Sequence, residues 1–407
     1  MDRDLCLRDG SASAQDVNGI GATEFAGRRE RLLDHACAQG LTGCVLFDEK
    51  YIQYFTGFGF LATERPVAFA VNLAGEMVTF VPEFEVERVR AETTFERVES
   101  YPEYPGLEHP MRILGRVLAD LGIAAAAADQ DGYPGILGYE GPSLSEVTGA
   151  RVVGVAPFIE SLMVRKSPAE VELIRESARW CEAAHRLLQQ YSVPGATEAE
   201  ASLRAGHEVT LAMLAAIGHA GQQSSSDGVS AGYRGQIGGR SSWAHAVAHN
   251  IEFQVGDMLV TETSAPIWGY HAELERGMVI GSPTDEMRRL FDHTVAAQQV
   301  AFDALRPGVT CADVDAAVLS YFEANDLLGN WRQHVGHGIG LRNHEAPFLD
   351  IGDRTRVEPG MVFTIEPGVY ASDLGGFRHS DTVVVTEDGT EILTDYPRDL
   401  ESLTIPA

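Results

Sequence analysis

The sequence GHGIGLRNHEAPF (336–348), followed by EPGMVFTIEPGVY (358–370) and GGFRHSDTVVVTEDG (375–389), decides the fold of this chain. Short apolar runs rich in β-branched residues predict strands here, and the Gly- and Pro-containing stretches between them predict turns. His337 lies between glycines, which allow a neighbouring backbone to come close. Glu366 directly follows an apolar run, where the strand is expected to end. A carboxylate there is costly unless it is paired or bound to a metal ion.

Two further acids and two histidines precede this stretch. Glu262 and Glu273 are 11 residues apart and flank a predicted turn, Ala-Pro-Ile-Trp-Gly (265–269), so two antiparallel strands would bring both carboxylates together. His245 and His249 lie just before the first of these strands. Carboxylates and imidazoles are ligands that Mn, Fe, Co and Zn accept. The pattern therefore predicts that several strands converge on one site.

The first part of the chain has a different pattern. Strand-like and helical runs alternate from Thr23 to about residue 155, which predicts an α/β domain. A long amphipathic helix over 168–191 and short β-like runs after about residue 225 predict an α+β second half. We expect a flexible arm at 1–22, an N-terminal domain at 23–160 and a catalytic domain at 161–407.

Charge limits the possible partners. The 407 residues include 59 Asp and Glu against 31 Lys and Arg, giving a net charge of −28. Such a polyanion repels phosphate backbones and anionic membranes, so we expect neither nucleic acid nor a membrane as a partner. Lys50 and Lys166 are the only lysines. This composition suits a protein that works in high salt, and the Arg codons of a GC-rich genome are the alternative explanation.

The compartment is expected to be the cytoplasm. No apolar run reaches the roughly 18 residues of a membrane span, and the polar, acidic N-terminus has no apolar signal core. Five widely spaced cysteines without a CxxC motif predict neither a disulfide framework nor a zinc-thiolate site.

The three sequence blocks resemble the catalytic domain shared by methionine aminopeptidase, prolidase, Xaa-Pro aminopeptidase and creatinase. Their order and spacing match over about residues 167–400, and the preceding α/β region is similar to the N-terminal domain of prolidases and creatinases. The resemblance implies a pita-bread catalytic domain, usually in a homodimer. The expected fold class is an α/β N-terminal domain followed by an α+β pita-bread (creatinase/aminopeptidase) catalytic domain.

The metallopeptidases of this family carry two metal ions on an Asp, a second Asp, a His and two Glu. The resemblance places these positions on Glu262, Glu273, His337, Glu366 and Ser380. A change from Asp to Glu keeps the charge but moves the oxygens by roughly 1.5 Å, which a preformed site tolerates poorly. Ser380 removes a bridging carboxylate, and the adjacent Asp381 would point to the other face of its strand. One divalent ion (Mn, Fe, Co or Zn) on Glu273, His337 and Glu366 is compatible with this set, and metal-free catalysis is the alternative.

Creatinases share this fold, lack the metals and use a His and glutamates on a C–N bond. The stretch GYHAELERG (269–277) resembles theirs, with Glu275 and Arg276 at the functional Glu-Arg position, and His245 matches their catalytic His. Arg65 resembles the creatinase Arg that reaches the partner subunit's site and holds a substrate carboxylate, for which its two-pronged donors are suited; a solvated surface residue is the alternative. The further expected substrate-binding residues are Tyr270 and Arg378.

Together these features predict a hydrolase that cleaves a C–N bond (amide, amidino or imide) in a small carboxylate-bearing substrate. The expected catalytic residues are His245, His344, Glu275 and Glu366. We expect His245 to protonate the leaving nitrogen as a general acid. Glu366, with Glu262 or Glu275, would orient and deprotonate water; a covalent nucleophile at Glu262 is the alternative.

The remaining histidines leave several functions open. His337 and His344 would bind the metal ion or polarise the scissile group. The intact GHGIG and HEAP motifs also support a metal-dependent Xaa-Pro aminopeptidase or dipeptidase acting on short peptides. A dimethylsulfoniopropionate-type lyase and a non-catalytic binding protein are the further alternatives.

Overall fold

The computed structural model describes residues 16–17, 19–93, 95, 97–217 and 228–407. The chain divides into two compact units, the first ending at Met163 and the second beginning at Val164. Most of the expected flexible arm lies outside the described residues. The domain boundaries at 22/23 and 160/161 stay predictions.

The first unit is built around a six-stranded mixed sheet with the strand order β6-β5-β4-β3-β7-β8. A short pair of strands, β1 (Asp16–Val17) and β2 (Ile20–Gly21), precedes it. The sheet strands are β3 (Gly43–Leu46), β4 (Ala68–Asn72), β5 (Met77–Pro82), β6 (Val98–Tyr101), β7 (Ala125–Ala128) and β8 (Arg151–Gly154). The helices are α1 (Ala22–Ala38), α2 (Glu49–Thr56), α3 (Val86–Glu92), α4 (Pro110–Asp120), α5 (Leu144–Thr148) and α6 (Ala156–Met163).

Helix α2 is an element that the hydrophobic pattern of the sequence does not predict. The pattern suggests one strand over 41–49, but β3 ends at Leu46. The carboxylate of Asp48 accepts hydrogen bonds from the backbone N–H groups of Lys50 and Tyr51 at 2.9 and 3.1 Å, which starts a helix. Local capping chemistry therefore overrides the apolar run.

Among the described residues, the second unit combines four α-helices with the remaining strands. Its helices are α7 (Pro168–Tyr191), α8 (Glu198–Ile217), α9 (Asp285–Ala304) and α10 (Cys311–Ala324). Its strands are β9 (Ser230–Gly232), β10 (Met258–Val260), β11 (Glu262–Ser264), β12 (Glu273–Glu275), β13 (Gly277–Ile280), β14 (Gly336–Gly338), β15 (Glu345–Leu349), β16 (Val362–Ile365), β17 (Gly368–Ala371), β18 (Gly375–Arg378), β19 (Ser380–Val385), β20 (Thr390–Ile392) and β21 (Thr404–Ile405).

One eight-stranded sheet of the second unit positions the candidate site. Its strand order is β15-β14-β16-β19-β12-β11-β9, with β20 paired to β19. The predicted hairpin is present, because β11 and β12 pair antiparallel with Ser264 opposite Glu273. Smaller sheets are formed by β10-β13-β21 and by β17-β18. Segments that are far apart in sequence thus become neighbouring strands.

The glycines beside His337 are required by close backbone contacts. A Cβ atom on Gly336 would lie 2.0 Å from the carbonyl oxygen of Thr364, and one on Gly338 would lie 2.6 Å from that of Ala346. Both contacts are far closer than real Cβ atoms allow, so larger residues would push β14 away from its neighbours.

Two further properties concern the chain as a whole. The four cysteines that the structure describes are free, and three of them are buried. No helix among the described residues has the length and apolar character needed to cross a membrane.

Candidate active site

Three strands place the candidate ligand residues on one side of the sheet. Glu273 and Glu275 are two residues apart on β12, so both side chains point to the same face. Glu275 is opposite Ser380 on the neighbouring strand β19. Glu366 directly follows β16, and its backbone N–H donates to the carbonyl oxygen of Val335 at 2.7 Å. These pairings bring the predicted side chains to one place.

Glu273, His337 and Glu366 form a buried group whose ligand atoms all lie within 4.8 Å of one another. Nδ1 of His337 lies 2.9 Å from the carbonyl oxygen of Gly338, which can only accept a hydrogen, so Nδ1 carries a proton and Nε2 is the atom that would bind a metal ion after losing its own proton. Nε2 lies 3.3 Å from Oε1 of Glu366 without forming a well-oriented hydrogen bond among the described residues, and the side chain is fully buried. Two carboxylates and one oriented imidazole nitrogen fit a divalent ion.

The three candidate ligands shift one another's pKa values. Burial alone would lower the pKa of His337, but the nearby Glu366 carboxylate outweighs it and raises that pKa to about 9. Burial works against the charge of Glu366, yet His337 lowers its pKa to about 2. The pKa of Glu273 is raised by burial and by the charge of Glu366. Neighbouring carboxylates thus raise the pKa values of His337 and Glu273, whereas the positive charge of His337 lowers that of Glu366.

Arg378 and Glu275 form a buried ion pair beside this group. Nη2 of Arg378 donates to Oε1 of Glu275 at 2.6 Å, and Nε donates to Oε2, so both carboxylate oxygens are bound. Both side chains are 1% exposed. Nε of Arg378 is also 4.0 Å from Oε2 of Glu366. A permanent positive charge therefore lies next to the candidate metal ligands.

Glu262 is held away from the three ligands by a second arginine. Its Oε2 lies 2.5 Å from Nε of Arg234, whose Nη2 lies 3.6 Å from Oε1 of Glu275. The Glu262 side chain is 25% exposed, unlike the buried Glu273. Sequence reasoning did not identify Arg234, which precedes Glu262 by 28 positions without a motif that links them.

Ser380 and Asp381 point to opposite faces of β19, as the alternation of a strand predicts. The Ser380 hydroxyl donates to Oε1 of Glu273 at 2.8 Å. Asp381 instead accepts from Nη2 of Arg276 at 2.8 Å and from the amide of Gln298 at 2.9 Å. Arg276 thus belongs to a fully buried structural pair on the other side of the sheet.

Several histidines surround the ligand group. His344 stacks on His337 with ring centroids 3.8 Å apart, and burial together with the His337 charge lowers the pKa of His344 to about 4. His334, which sequence reasoning overlooked, lies 6.2 Å from the His337 ring. Its position three residues before His337 is the available signal. His245 is exposed and contributes to lowering the pKa of both His334 and His344, which places it within electrostatic range of them.

Other predicted site residues are differently placed. Arg65 belongs to the first unit, where its Nε donates to Glu103 at 2.7 Å. Tyr270 is buried and its hydroxyl donates to Glu170 at 2.7 Å. Each of the three guanidinium nitrogens of Arg378 has a hydrogen-bond partner, because Nε and Nη2 bind Glu275 and Nη1 lies 3.1 Å from the hydroxyl oxygen of Tyr370. The substrate contacts predicted for Tyr270 and Arg378 would require these bonds to open.

The fold and this site define a class of protein: a two-unit hydrolase with a pita-bread catalytic region. Residues 172–387, more than half of the chain, match the description "Metallopeptidase family M24". Residues 28–159 match "Creatinase/Prolidase N-terminal domain". The chain belongs to metallopeptidase family M24, and the predicted resemblance and fold class are confirmed.

Individual proteins support the same assignment. The chain is 28% identical over 393 residues to "Probable dipeptidase PepE" of Mycobacterium tuberculosis, covering 93% of this chain and 96% of that protein. It is 36% identical over 163 residues to "Xaa-Pro dipeptidase" of Pyrococcus furiosus, covering 40% of this chain and 47% of that protein. The solved "Xaa-Pro dipeptidase from Bacillus anthracis" is 24% identical with a TM-score of 0.77, covering 94% of this chain and all of that one. This last likeness concerns the fold.

These relationships confirm the predicted reaction class. The chain is a hydrolase that acts on peptide C–N bonds, and both the main prediction and its peptidase alternative agree with that. The family is one of divalent metal-dependent enzymes, and the group Glu273, His337 and Glu366 supplies suitable ligands.

Proposed function

We propose that this protein hydrolyses dipeptides that carry a free carboxylate, with Xaa-Pro dipeptides as the first candidates, using one divalent ion held by Glu273, His337 and Glu366. The observation that carries the proposal is the buried group of Glu273, His337 and Glu366, whose ligand atoms all lie within 4.8 Å of one another, with Nε2 of His337 3.3 Å from Oε1 of Glu366. Mn, Fe, Co and Zn all accept this ligand set. A bound ion would polarise the scissile carbonyl group.

Two glutamates are candidates for the base that accepts a proton from the attacking water. Both oxygens of Glu275 are bound to Arg378, so Glu275 is poorly suited to act as a base. Glu262 is partly exposed and is assigned the proton of the attacking water, which Glu366 helps to orient. This assignment refines the expectation that left Glu262 and Glu275 as alternatives.

Two histidines act on the other side of the scissile bond. The lowered pKa of His344, about 4, keeps its imidazole neutral near pH 7, so that it donates a hydrogen bond to the developing oxyanion. The exposed His245 protonates the leaving nitrogen. In this scheme water attacks the carbonyl carbon, the C–N bond breaks, and the amine leaves with the added proton.

Hydrolysis assays with defined peptides test the proposed function. The full-length protein is freed of metal with a chelator and assayed on Gly-Pro, Ala-Pro and Gly-Leu with and without added Mn²⁺ or Co²⁺. We expect cleavage of at least one dipeptide that rises about tenfold or more with metal. Equal rates with and without metal, or no cleavage of any peptide, would reject the proposal. Creatine as a parallel substrate separates it from an amidinohydrolase.

The oligomeric state, the role of Arg65 and the location in the cell complete the proposed function. We propose a homodimer in which Arg65 binds the substrate carboxylate, and a location in the cytoplasm. Light scattering on the full-length protein tests the dimer, since a monomer at micromolar concentration would contradict it. Limited proteolysis near residues 160–161 tests the proposed domain boundary.

A further inference from the structure

Charged side chains of alternating sign run through the candidate site. Glu262 pairs with Arg234, Arg234 approaches Glu275, Glu275 pairs with Arg378, and Arg378 approaches Glu366. Carboxylates and guanidinium groups therefore alternate along this row, from Glu262 at one end to Glu366 at the other. Two of these side chains, Arg378 and Glu275, are 1% exposed, so water screens them little.

The charges in this network can be compared with those of the ions that it would hold. Among the described residues, the carboxylates that belong to this row or to the candidate metal ligands are Glu262, Glu273, Glu275 and Glu366. The guanidinium groups are those of Arg234 and Arg378. In the metal-bound state, where His337 is neutral and the carboxylates are ionised, four negative and two positive charges leave two negative charges, which one divalent ion neutralises. A second divalent ion would leave two uncompensated positive charges in a buried site, which is strongly unfavourable.

The positions of the candidate ligands also argue against a second divalent ion. Ser380 has no carboxylate to bridge two ions, and its hydroxyl is bound to Oε1 of Glu273. Glu262 is turned to Arg234 at 2.5 Å and is not part of the three-ligand group. A second ion would therefore lack two of the five ligands that the family supplies.

We propose that Arg378 and Arg234 take the electrostatic place of a second metal ion, so that this site binds one divalent ion and excludes another. The arrangement departs from the two-ion pattern of the family, because fixed guanidinium groups supply charge that the second ion supplies elsewhere. This inference rests on the proposed metal-binding function of the same site.

Metal binding to the substrate-free protein tests the inference. The full-length wild-type protein is freed of metal, titrated with Mn²⁺ by calorimetry and examined by electron paramagnetic resonance. We expect one Mn²⁺ per chain and the signal of an isolated ion. Two ions per chain, a spin-coupled pair or no bound ion would overturn the inference. A protein that holds one ion but cleaves no peptide would leave it standing and reject the proposed function.

A charge-altered variant tests the cause. Arg234→Gln with Ser380→Glu removes one positive charge, adds one carboxylate and frees Glu262, so we expect two Mn²⁺ per chain. The control, Arg204→Gln with Ser161→Glu, makes the same change of charge on exposed positions and should stay at one. One ion in the first variant would contradict the assigned role of Arg234. Circular dichroism monitors folding, and the wild-type stoichiometry decides the inference if that variant is unfolded.

Discussion

The hydroxyl of Ser380 donates a hydrogen bond to Oε1 of Glu273 at 2.8 Å, at the position where the family resemblance implies a bridging carboxylate. A serine there keeps a polar contact with the neighbouring acid but cannot ligate as a carboxylate does. The bond fixes the orientation of Glu273, which is 5% exposed and also lies near Glu366. We therefore propose that Ser380 positions a candidate metal ligand.

Ser380→Ala tests this positioning role. Loss of the hydrogen bond lets the Glu273 carboxylate rotate, so we expect the dissociation constant for Mn²⁺ to rise by about tenfold to a hundredfold. Calorimetric titration measures this change. Ser161→Ala is the control, since its hydroxyl bonds only to the carbonyl of Phe158 at an exposed position. An unchanged Mn²⁺ affinity in Ser380→Ala would show that Glu273 needs no such support.

Glu366→Gln tests the ligand group directly. The amide removes one negative charge and one strong ligand, so we expect Mn²⁺ to lose its stabilising effect on thermal unfolding. Peptide hydrolysis should fall by about a hundredfold or more. Differential scanning fluorimetry with and without Mn²⁺ measures the first effect.

Glu358→Gln provides a matched control in the same stretch of sequence. Glu358 is 49% exposed and forms a surface ion pair with Arg165 at 3.3 Å. Its substitution should preserve the Mn²⁺-dependent increase in melting temperature. If both variants respond to Mn²⁺ like the wild type, the ion is not bound through Glu366.

Lys166 provides a prediction about stability. Its Nζ donates to Oε2 of Glu345 at 2.8 Å, and the two side chains are 2% and 7% exposed. Lys166→Met leaves the buried Glu345 charge without its cation and should lower the free energy of unfolding by about 3–5 kcal/mol. The double variant Lys166→Met with Glu345→Met should be less destabilised, because no charge is left unpaired.

An exposed ion pair serves as the comparison for Lys166. Arg204 binds Glu208 at 2.9 Å with side chains 63% and 42% exposed. Arg204→Met should therefore lower the free energy of unfolding far less than Lys166→Met does. Urea denaturation measures all three variants. Equal losses in Lys166→Met and Arg204→Met would contradict a special role for burial.

The sequence predicts the fold well wherever local patterns decide it. The helix at 168–191 follows apolar periodicity, and the hairpin of Glu262 and Glu273 follows from strand runs around a turn. Helix α2 is the exception, because its start depends on the Asp48 cap rather than on hydrophobicity. Capping requires attention to single residues that a hydrophobic pattern does not reveal.

The residues of the site also differ in whether local sequence patterns predict them. Glu273, His337 and Glu366 are predictable because each lies in a strand motif whose neighbours fix its position. The partners of the acids are different: Arg378 is 103 positions from Glu275, and no local pattern joins them. Ion pairs of this kind depend on strand order and side-chain direction, which become visible only in three dimensions.

His245→Ala tests the proposed general acid. Without the imidazole the leaving nitrogen must take its proton from water, so we expect kcat for dipeptide hydrolysis to fall by about 10²–10⁴-fold. Mn²⁺ affinity should stay unchanged, because His245 is not among the three ligands. His249→Ala is the matched control, an exposed histidine four positions away whose backbone N–H bonds Glu198. A fall in kcat of the same size in both variants would show that the 243–250 segment acts through its structure, whereas an unchanged kcat in His245→Ala would remove His245 from the reaction.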